Sequence, residues 1–233
     1  MSSVYEGLLG ERPFEVKVLD KNHLPKILAL QELVYDALLN KDILEPLTDE
    51  EFLYILEGQG LLVGTFVEEQ LIAFRALLVP AIDADHLGYA IGLVNESDLK
   101  RVLYQEISNV HPDFRGFGLQ KTLAKVIMQQ IDTKDFDYIA ATVMPYNIAS
   151  LKDKFSQGFH IVRLKYAYGG KLRYVFALDL HKKQQYEEDT VTISMGDIEA
   201  QQRIQQEGYV GTAMKQLADD WVVEYQKPLN VLK

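Results

Sequence analysis

One turn of the sequence, residues 110–120, has the residue types and spacing that binding of a phosphate group requires. It reads V-H-P-D-F-R-G-F-G-L-Q. Glycine lets the backbone come close to a ligand, and the N–H groups of the first turn of a helix have no partner inside the helix and carry partial positive charge. Arg115 adds a full positive charge. The turn therefore predicts a cradle for a pyrophosphate, although a glycine turn before a helix can also be purely conformational.

The elements on both sides of this turn have different periodicities. Residues 102–110 are predicted to form a strand, and five apolar residues then recur at helical spacing, namely Leu119, Leu123, Val126, Ile127 and Ile131. Elsewhere the patterns predict a strand at 14–19, helices at 24–40 and from Thr48, a hairpin at 61–79, a strand at 138–143, a helix at 147–157 and a hairpin at 160–180. The order of elements is mixed α and β.

The turn resembles the acetyl-CoA signature of the GNAT superfamily of N-acetyltransferases. That signature is Arg or Gln, two free positions, Gly, one free position, then Gly or Ala; Arg115 and Gly118 match it, while Gln120 replaces the usual small residue. R-G-F-G-L-Q, together with Y-G-G-K-L-R-Y at 168–174, is similar to a little-characterised bacterial subgroup. Asn147 with Gly158-Phe159 is similar to the family's second cofactor element. The resemblance covers residues 14–180 and implies the α/β (α+β) GNAT fold, a central mixed, mostly antiparallel sheet with helices on both faces.

The resemblance implies acetyl-CoA as co-substrate and no metal. In this family the pantetheine arm lies between two splayed strands, here those ending at Val110 and Val143, and a backbone N–H in residues 108–110 would polarise the thioester carbonyl. The expected cofactor-binding residues are Ser108, Asn109, Val110, Arg115, Gly116, Phe117, Gly118, Leu119, Gln120, Asn147 and Ser150.

The resemblance also suggests catalytic residues. Tyr104 and Glu106 share a face of the strand by their two-residue spacing, at positions where other GNAT proteins have Glu or His bases. Glu106 is the first choice for the base that neutralises the amine, and the alternative is an ion-paired or solvated carboxylate. The family's general acid, a Tyr four residues before Gly158, is replaced by Lys154. Protonation of the leaving thiolate could then fall to Lys154, to Tyr166 or Tyr168, or to solvent.

Composition excludes several classes of function. The 233 residues carry 24 Lys+Arg against 34 Asp+Glu, a net charge of −10, which disfavours nucleic acid and anionic membranes as partners. The absence of Cys excludes disulfides, Cys-ligated zinc and a thiol nucleophile. The longest apolar stretch, residues 71–82, contains Arg75 and is shorter than a membrane span. Because residues 1–14 lack signal-peptide features, a cytoplasmic location is expected.

The sequence predicts two regions. A GNAT domain would cover 1–181, and a polar connector at 182–189 would lead to a small appendage within 182–233. In the appendage a strand is expected at 191–194, a helix after Asp197 and a last strand at 221–225. At this size the appendage should pack on the main domain or on the second subunit of a homodimer. No internal repeat is apparent.

The leading hypothesis is acetyl transfer from acetyl-CoA to a primary amine of a small molecule, peptide or protein, by direct attack. The first alternative is a CoA-binding sensor or interaction module with weak chemistry, which Lys154 in place of Tyr favours. The second alternative treats the glycine turn as a structural connection in a binding protein.

Overall fold

The computed structural model describes residues 2–229, which form two compact units. Unit 1 contains residues 2–80 and Leu103–Asp132, and unit 2 contains Ala81–Val102 and the described chain from Thr133 onwards. Met1 and residues 230–233, the end of the predicted appendage, lie outside the described residues.

Unit 1 is a sheet of five strands with three helices. Its elements are β1 (Tyr5–Leu9), β2 (Arg12–Val18), α1 (Leu24–Asp36), α2 (Asp49–Tyr54), β3 (Gly60–Val67), β4 (Gln70–Leu78), β5 (Val102–Val110) and α5 (Leu119–Met128). The strands pair in the order β1-β2-β3-β4-β5, and each pair is antiparallel.

Apolar residues on one face of this sheet pack against α1 and α2. This core includes Phe52 on α2, Phe74 and Ala76 on β4 and Ile107 on β5. Helix α5 packs on β3 and β4 but contributes no residue to that core, so it covers the opposite face. Helices therefore lie on both faces, as predicted.

Two local features fix the start of α2. The Thr48 side chain accepts a hydrogen bond from the Glu51 backbone, and the Glu51 carboxylate accepts one from the Thr48 N–H at 2.7 Å, which together form a capping box. The buried Gln31 side chain of α1 bonds both backbone groups of Leu47, at 2.8 and 3.0 Å. The approach to α2 is thus attached to α1.

Unit 2 consists of a six-stranded sheet with four helices. Its elements are α3 (Gly88–Ile91), α4 (Glu96–Leu99), β6 (Tyr138–Val143), α6 (Ile148–Ser156), β7 (His160–Ala167), β8 (Lys171–Asp179), β9 (Val191–Ser194), α7 (Ile198–Gln206), β10 (Val210–Leu217) and β11 (Asp220–Gln226). The strand order is β6-β8-β7-β10-β11-β9, and the pairs are antiparallel.

Most predicted elements are present, with differences at their ends. Helix α1 stops at Asp36 rather than residue 40, because Asn40 accepts a hydrogen bond from Asp42 N–H and starts a separate 3-10 turn. The sequence analysis missed β1 and β10. Strand β10 carries a glycine and ends in exposed residues, so it lacks a strong strand pattern. The predicted boundary at residue 181 falls inside unit 2, so an appendage that folds separately stays a prediction.

Candidate functional site

Strand β5 contains a β-bulge at Glu106. Ser108 pairs with Arg75 of β4 and Gln105 pairs with Leu77, so Glu106 and Ile107 together lie opposite the single residue Ala76. An extra residue of this kind bends a strand and redirects its side chains, and it is common next to active sites.

The bulge decides which face each candidate side chain occupies. Tyr104 pairs with Leu78, which packs against the core beneath α1 and α2, and Ile107 belongs to that core. Ser108 pairs with Arg75 on the opposite face. Tyr104 and Glu106, two residues apart, therefore lie on the side that carries α2, and the bulge brings Ile107 to that side as well. Their catalytic roles stay predictions.

Glu106 lies in an environment that favours its neutral form. The Glu106 residue is partly exposed to solvent. The protein nevertheless surrounds its carboxyl closely enough that desolvation raises the pKa to about 7. The negative charge of Glu51 on α2 raises that pKa further. A carboxyl with this pKa can both accept and release a proton near neutral pH, which is the property that a general base needs.

Three predicted cofactor residues end β5. Val110 pairs with Ala73, and the Ser108 Oγ and Asn109 Nδ2 atoms are buried without a hydrogen-bond partner among the described residues. Buried polar atoms are usually satisfied. The end of β5 thus offers donors that the described part of the chain does not use.

The turn after β5 is open to solvent. Pro112–Phe114 form a 3-10 turn in which the His111 side chain accepts a hydrogen bond from the Asp113 N–H, and Arg115, Gly116, Phe117 and Gly118 are exposed. Gly118 has a φ of 75° and directly precedes α5. A Cβ there would meet nothing within 4 Å, so the conformation rather than crowding favours glycine.

The N-terminus of α5 has free donors. Helix α5 has no side-chain cap, and its first N–H to bond a carbonyl is that of Thr122, to Gly118 at 3.0 Å. No described residue accepts a hydrogen bond from the backbone N–H groups of residues 116–121. Leu119 is buried and anchors the helix, and Gln120 is partly exposed. The turn therefore presents a row of donors at the positive end of a helix.

In unit 2 the predicted second cofactor element is the start of α6. The Asn147 side chain accepts a hydrogen bond from the Ser150 N–H at 3.3 Å and caps the helix. The residue before it, Tyr146, has a φ of 64°, which is rare for a residue with a side chain. The sequence analysis did not single out Tyr146, because a tyrosine gives no indication of a positive φ.

Lys154 has a structural explanation. Its side chain is 9% exposed, lies 3.3 Å from the Asp153 carboxylate, and is 6.0 Å from the ring of Phe159. Burial of an ion pair costs desolvation, which the paired charge offsets. The proposed acid role of Lys154 stays a prediction.

Among residues 2–229, no helix is long and apolar enough to cross a membrane, and no three His, Asp or Glu side chains converge on a metal site. His86 has a local role. It is buried, accepts a hydrogen bond from the Gly88 N–H at 3.0 Å, and has a pKa lowered by burial.

Comparison with known proteins shows the fold. No family model and no curated protein matches this sequence. The ribosomal-protein-S18-alanine N-acetyltransferase of Escherichia coli superposes with a TM-score of 0.52 at 15% identity, over 72% of this chain and 95% of that chain. The GNAT family acetyltransferase of Streptococcus pneumoniae superposes with a TM-score of 0.52 at 15% identity, over 72% of this chain and 99% of that chain.

A third solved structure, the PaiA N-acetyltransferase of Thermoplasma acidophilum in complex with coenzyme A, gives a TM-score of 0.51 at 14% identity, over 71% of this chain and 98% of that chain. The chain therefore has the fold of the GNAT acetyltransferases, and the fold inferred from its sequence is confirmed.

Proposed function

We propose that the protein is an N-acetyltransferase that moves an acetyl group from acetyl-CoA to a primary amine by direct attack. The amine lone pair attacks the thioester carbonyl carbon, the C–S bond breaks, and coenzyme A leaves as a thiolate that takes up a proton. The acceptor is a small molecule, a peptide or a protein.

The observation that carries this proposal is the row of unused N–H groups at residues 116–121. A pyrophosphate needs several donors at once, and a helix N-terminus with an adjacent arginine supplies them with little reorganisation. Arg115, Gly116, Phe117, Gly118, Leu119 and Gln120 would bind the pyrophosphate of CoA, and Ser108, Asn109 and Val110 would hold the pantetheine and thioester. Asn147 and Ser150, at the start of α6, are the other two predicted cofactor-binding residues.

Glu106 is the proposed base. At pH values above 7 its carboxylate would take a proton from the ammonium form of the acceptor and leave the neutral amine that attacks. Tyr104 would line the same face of β5. Lys154, Tyr166, Tyr168 or solvent would protonate the thiolate.

A second function is favoured by the buried pair of Lys154 and Asp153. Since Lys154 has a structural role there, the chain could bind CoA without an efficient acid and act as a sensor or interaction module. Tight CoA binding with no thiol release across an amine panel would support this reading.

The test is calorimetric titration of the full chain with CoA, followed by thiol release from acetyl-CoA with a panel of amines. Gly118→Glu should weaken CoA binding at least tenfold, because it places bulk and negative charge against the pyrophosphate. Gly10→Glu is the matched control, since Gly10 also has positive φ (63°) and open space around it. Equal CoA affinity in the two variants would remove the turn from the site.

A further inference from the structure

Two segments of unit 2 have the same architecture. Residues 138–179, here called the first copy, run β6-α6-β7-β8, and residues 191–226, the second copy, run β9-α7-β10-β11. Within each copy the sheet order is the same, β6-β8-β7 in the first and β9-β11-β10 in the second. This contradicts the expectation from sequence that the chain has no internal repeat.

From α6 and α7 onwards the two copies match at a nearly constant offset. Strands β7 and β10 begin at His160 and Val210, an offset of 210 − 160 = 50, and β8 and β11 begin at Lys171 and Asp220, an offset of 220 − 171 = 49. The difference of one arises because the second hairpin has a turn one residue shorter.

The hairpins have the same irregularity at the same place. In the first copy the register shifts between Ile161 and Arg163, and in the second it shifts between Gly211 and Ala213. Gly211 and Ala213 each lie 50 residues after their equivalents, Ile161 and Arg163. A β-bulge at an equivalent position supports a structural repeat, because a bulge interrupts regular strand pairing at one particular site.

The helices are capped in the same way. Asn147 Oδ1 accepts from the N–H three residues later at 3.3 Å, and Asp197 Oδ1 does so at 3.0 Å. At the other end, the N–H groups of Gly158 and Gly208 bond carbonyls three residues earlier, at 3.0 and 3.2 Å. Few residues are identical between the copies, so the repeat is visible in structure and not in sequence.

Equivalent residues meet where the copies join. Strand β7 pairs antiparallel with β10, and Ile161 lies opposite Gly211, its own equivalent. A Cβ on Gly211 would lie 2.9 Å from the Val223 Cγ1 and 3.0 Å from the Ile161 Cβ, so a side chain there would crowd both neighbours. Tyr146 and Gly196 are also equivalent, and a Cβ on Gly196 would lie 3.1 Å from the Tyr146 hydroxyl. Contacts between equivalent residues are the signature of a two-fold axis.

The joint between the copies is buried and polar. Gln201 of α7 is fully buried, and its Oε1 accepts hydrogen bonds from Tyr174 of the first copy at 2.6 Å and Tyr225 of the second at 2.9 Å. Gln205 Oε1 accepts from the Leu164 N–H at 2.7 Å. A fully satisfied network of this kind fixes one arrangement of the packed parts.

The second copy also contacts the turn that starts α6. The Tyr146 hydroxyl donates to Asp220 Oδ1 at 3.3 Å, while Ser194 donates to Asp220 Oδ2 at 2.5 Å. The first bond holds Tyr146, the residue with positive φ directly before Asn147, and the second holds the Asp220 carboxylate. In the second copy the equivalents of Asn147 and Ser150 are Asp197 and Ala200, which replace an amide by a negative charge and remove a hydroxyl.

We infer that the second copy acts as a built-in partner for the first. It covers the β7 edge, does not hold a cofactor itself, and uses Asp220 to hold the Tyr146 turn in the conformation that presents the start of α6 to CoA. The cofactor part of this inference rests on the proposed function. Tyr146 and Asp220 are positioning residues, since they act through α6.

The first experiment measures hydrogen exchange in the full, CoA-free chain. Tyr146→Phe and Asp220→Ala should lower protection of the backbone amides of Ser150 and Leu151 about threefold or more, as expected for loss of one hydrogen bond. The matched control is Tyr166→Phe, because Tyr166 is 61% exposed and its hydroxyl makes no hydrogen bond within residues 2–229. Unchanged protection in both variants would overturn the inference, whatever the protein's activity.

The second experiment titrates wild type and variants with CoA. One CoA per chain is expected, with a Kd raised about threefold in Tyr146→Phe and no further rise when Asp220→Ala is added, because Tyr146→Phe already removes the hydrogen bond through which Asp220 acts on α6. Two CoA per chain, or a Kd unaltered in Tyr146→Phe, would overturn the inference. No CoA binding by wild type would instead overturn the proposed function. The exchange experiment would still test whether the bond between Tyr146 and Asp220 holds the start of α6.

Discussion

Replacing Glu106 with Gln should remove the acid limb of the pH–rate profile. The wild-type carboxyl has a pKa of about 7, raised by desolvation and by Glu51. A base must be ionised to act, so the rate should fall as pH drops through 7. At pH 6 only about a tenth of the carboxyl is ionised, which predicts a rate about tenfold below the plateau. Above pH 8, Glu106→Gln should be slower by a factor of about 100 or more.

The same substitution should stabilise the protein at high pH. Because the folded state raises the carboxyl pKa from 4.5 to about 7, ionisation disfavours folding increasingly between these values, and the cost is complete above pH 7. The upper limit of this cost is about 3–4 kcal/mol, since the pKa rises by about 2.5 and each unit corresponds to roughly 1.4 kcal/mol. The gain in unfolding free energy of Glu106→Gln over wild type should therefore be larger at pH 8 than at pH 5.

The assay is thiol release from acetyl-CoA with a reactive amine between pH 5.5 and 9, alongside urea unfolding. Glu51→Gln is the informative companion, because a Gln at this position can still accept the Thr48 N–H while its charge is gone. It should shift the acid limb to lower pH without abolishing it. An acid limb at an unchanged position in Glu106→Gln would refute the assignment of Glu106 as the base.

Two further predictions concern stability. Because His160 is buried and its pKa is lowered to about 4, wild type should lose stability as pH falls from about 6.5 to about 4. The unfolding free energy of His160→Leu, measured by urea unfolding at pH 7 and pH 4.5, should fall less between these two pH values than that of wild type. An equal fall in the two proteins would contradict this prediction. Phe52→Ala should lower the unfolding free energy by about 3–5 kcal/mol, since Phe52 is fully buried against Phe74. Phe117→Ala, at a side chain that is 55% exposed, is its control and should lie near wild type.

The strand-turn-helix at the proposed cofactor site could be predicted because periodicity and glycine placement are local properties. Strand β5 and the start of α5 lie where the apolar pattern put them. The bulge at Glu106 could not be predicted, because it depends on pairing with Ala76 of another strand. The burial of Lys154 is likewise tertiary, since a lysine in a helix is usually solvated.

The repeat in unit 2 was missed for a different reason. Its two copies share hydrogen bonds, caps and a bulge, which depend on backbone conformation, while their side chains differ at most positions. Leu151 of the first copy corresponds to Gln201 of the second, and Phe155 corresponds to Gln205. Residues that face different neighbours are under different packing requirements, so comparison of letters alone shows little.

The network around Gln201 illustrates what the presence of two similar copies in one chain permits. In a dimer of identical chains, a substitution enters both subunits, so a glutamine that suits one side must also be tolerated on the other. Here one half keeps Leu151 and the other has Gln201, and a single acceptor serves two tyrosine hydroxyls. Joined in one chain, the halves can diverge, one towards ligand contact and the other towards support.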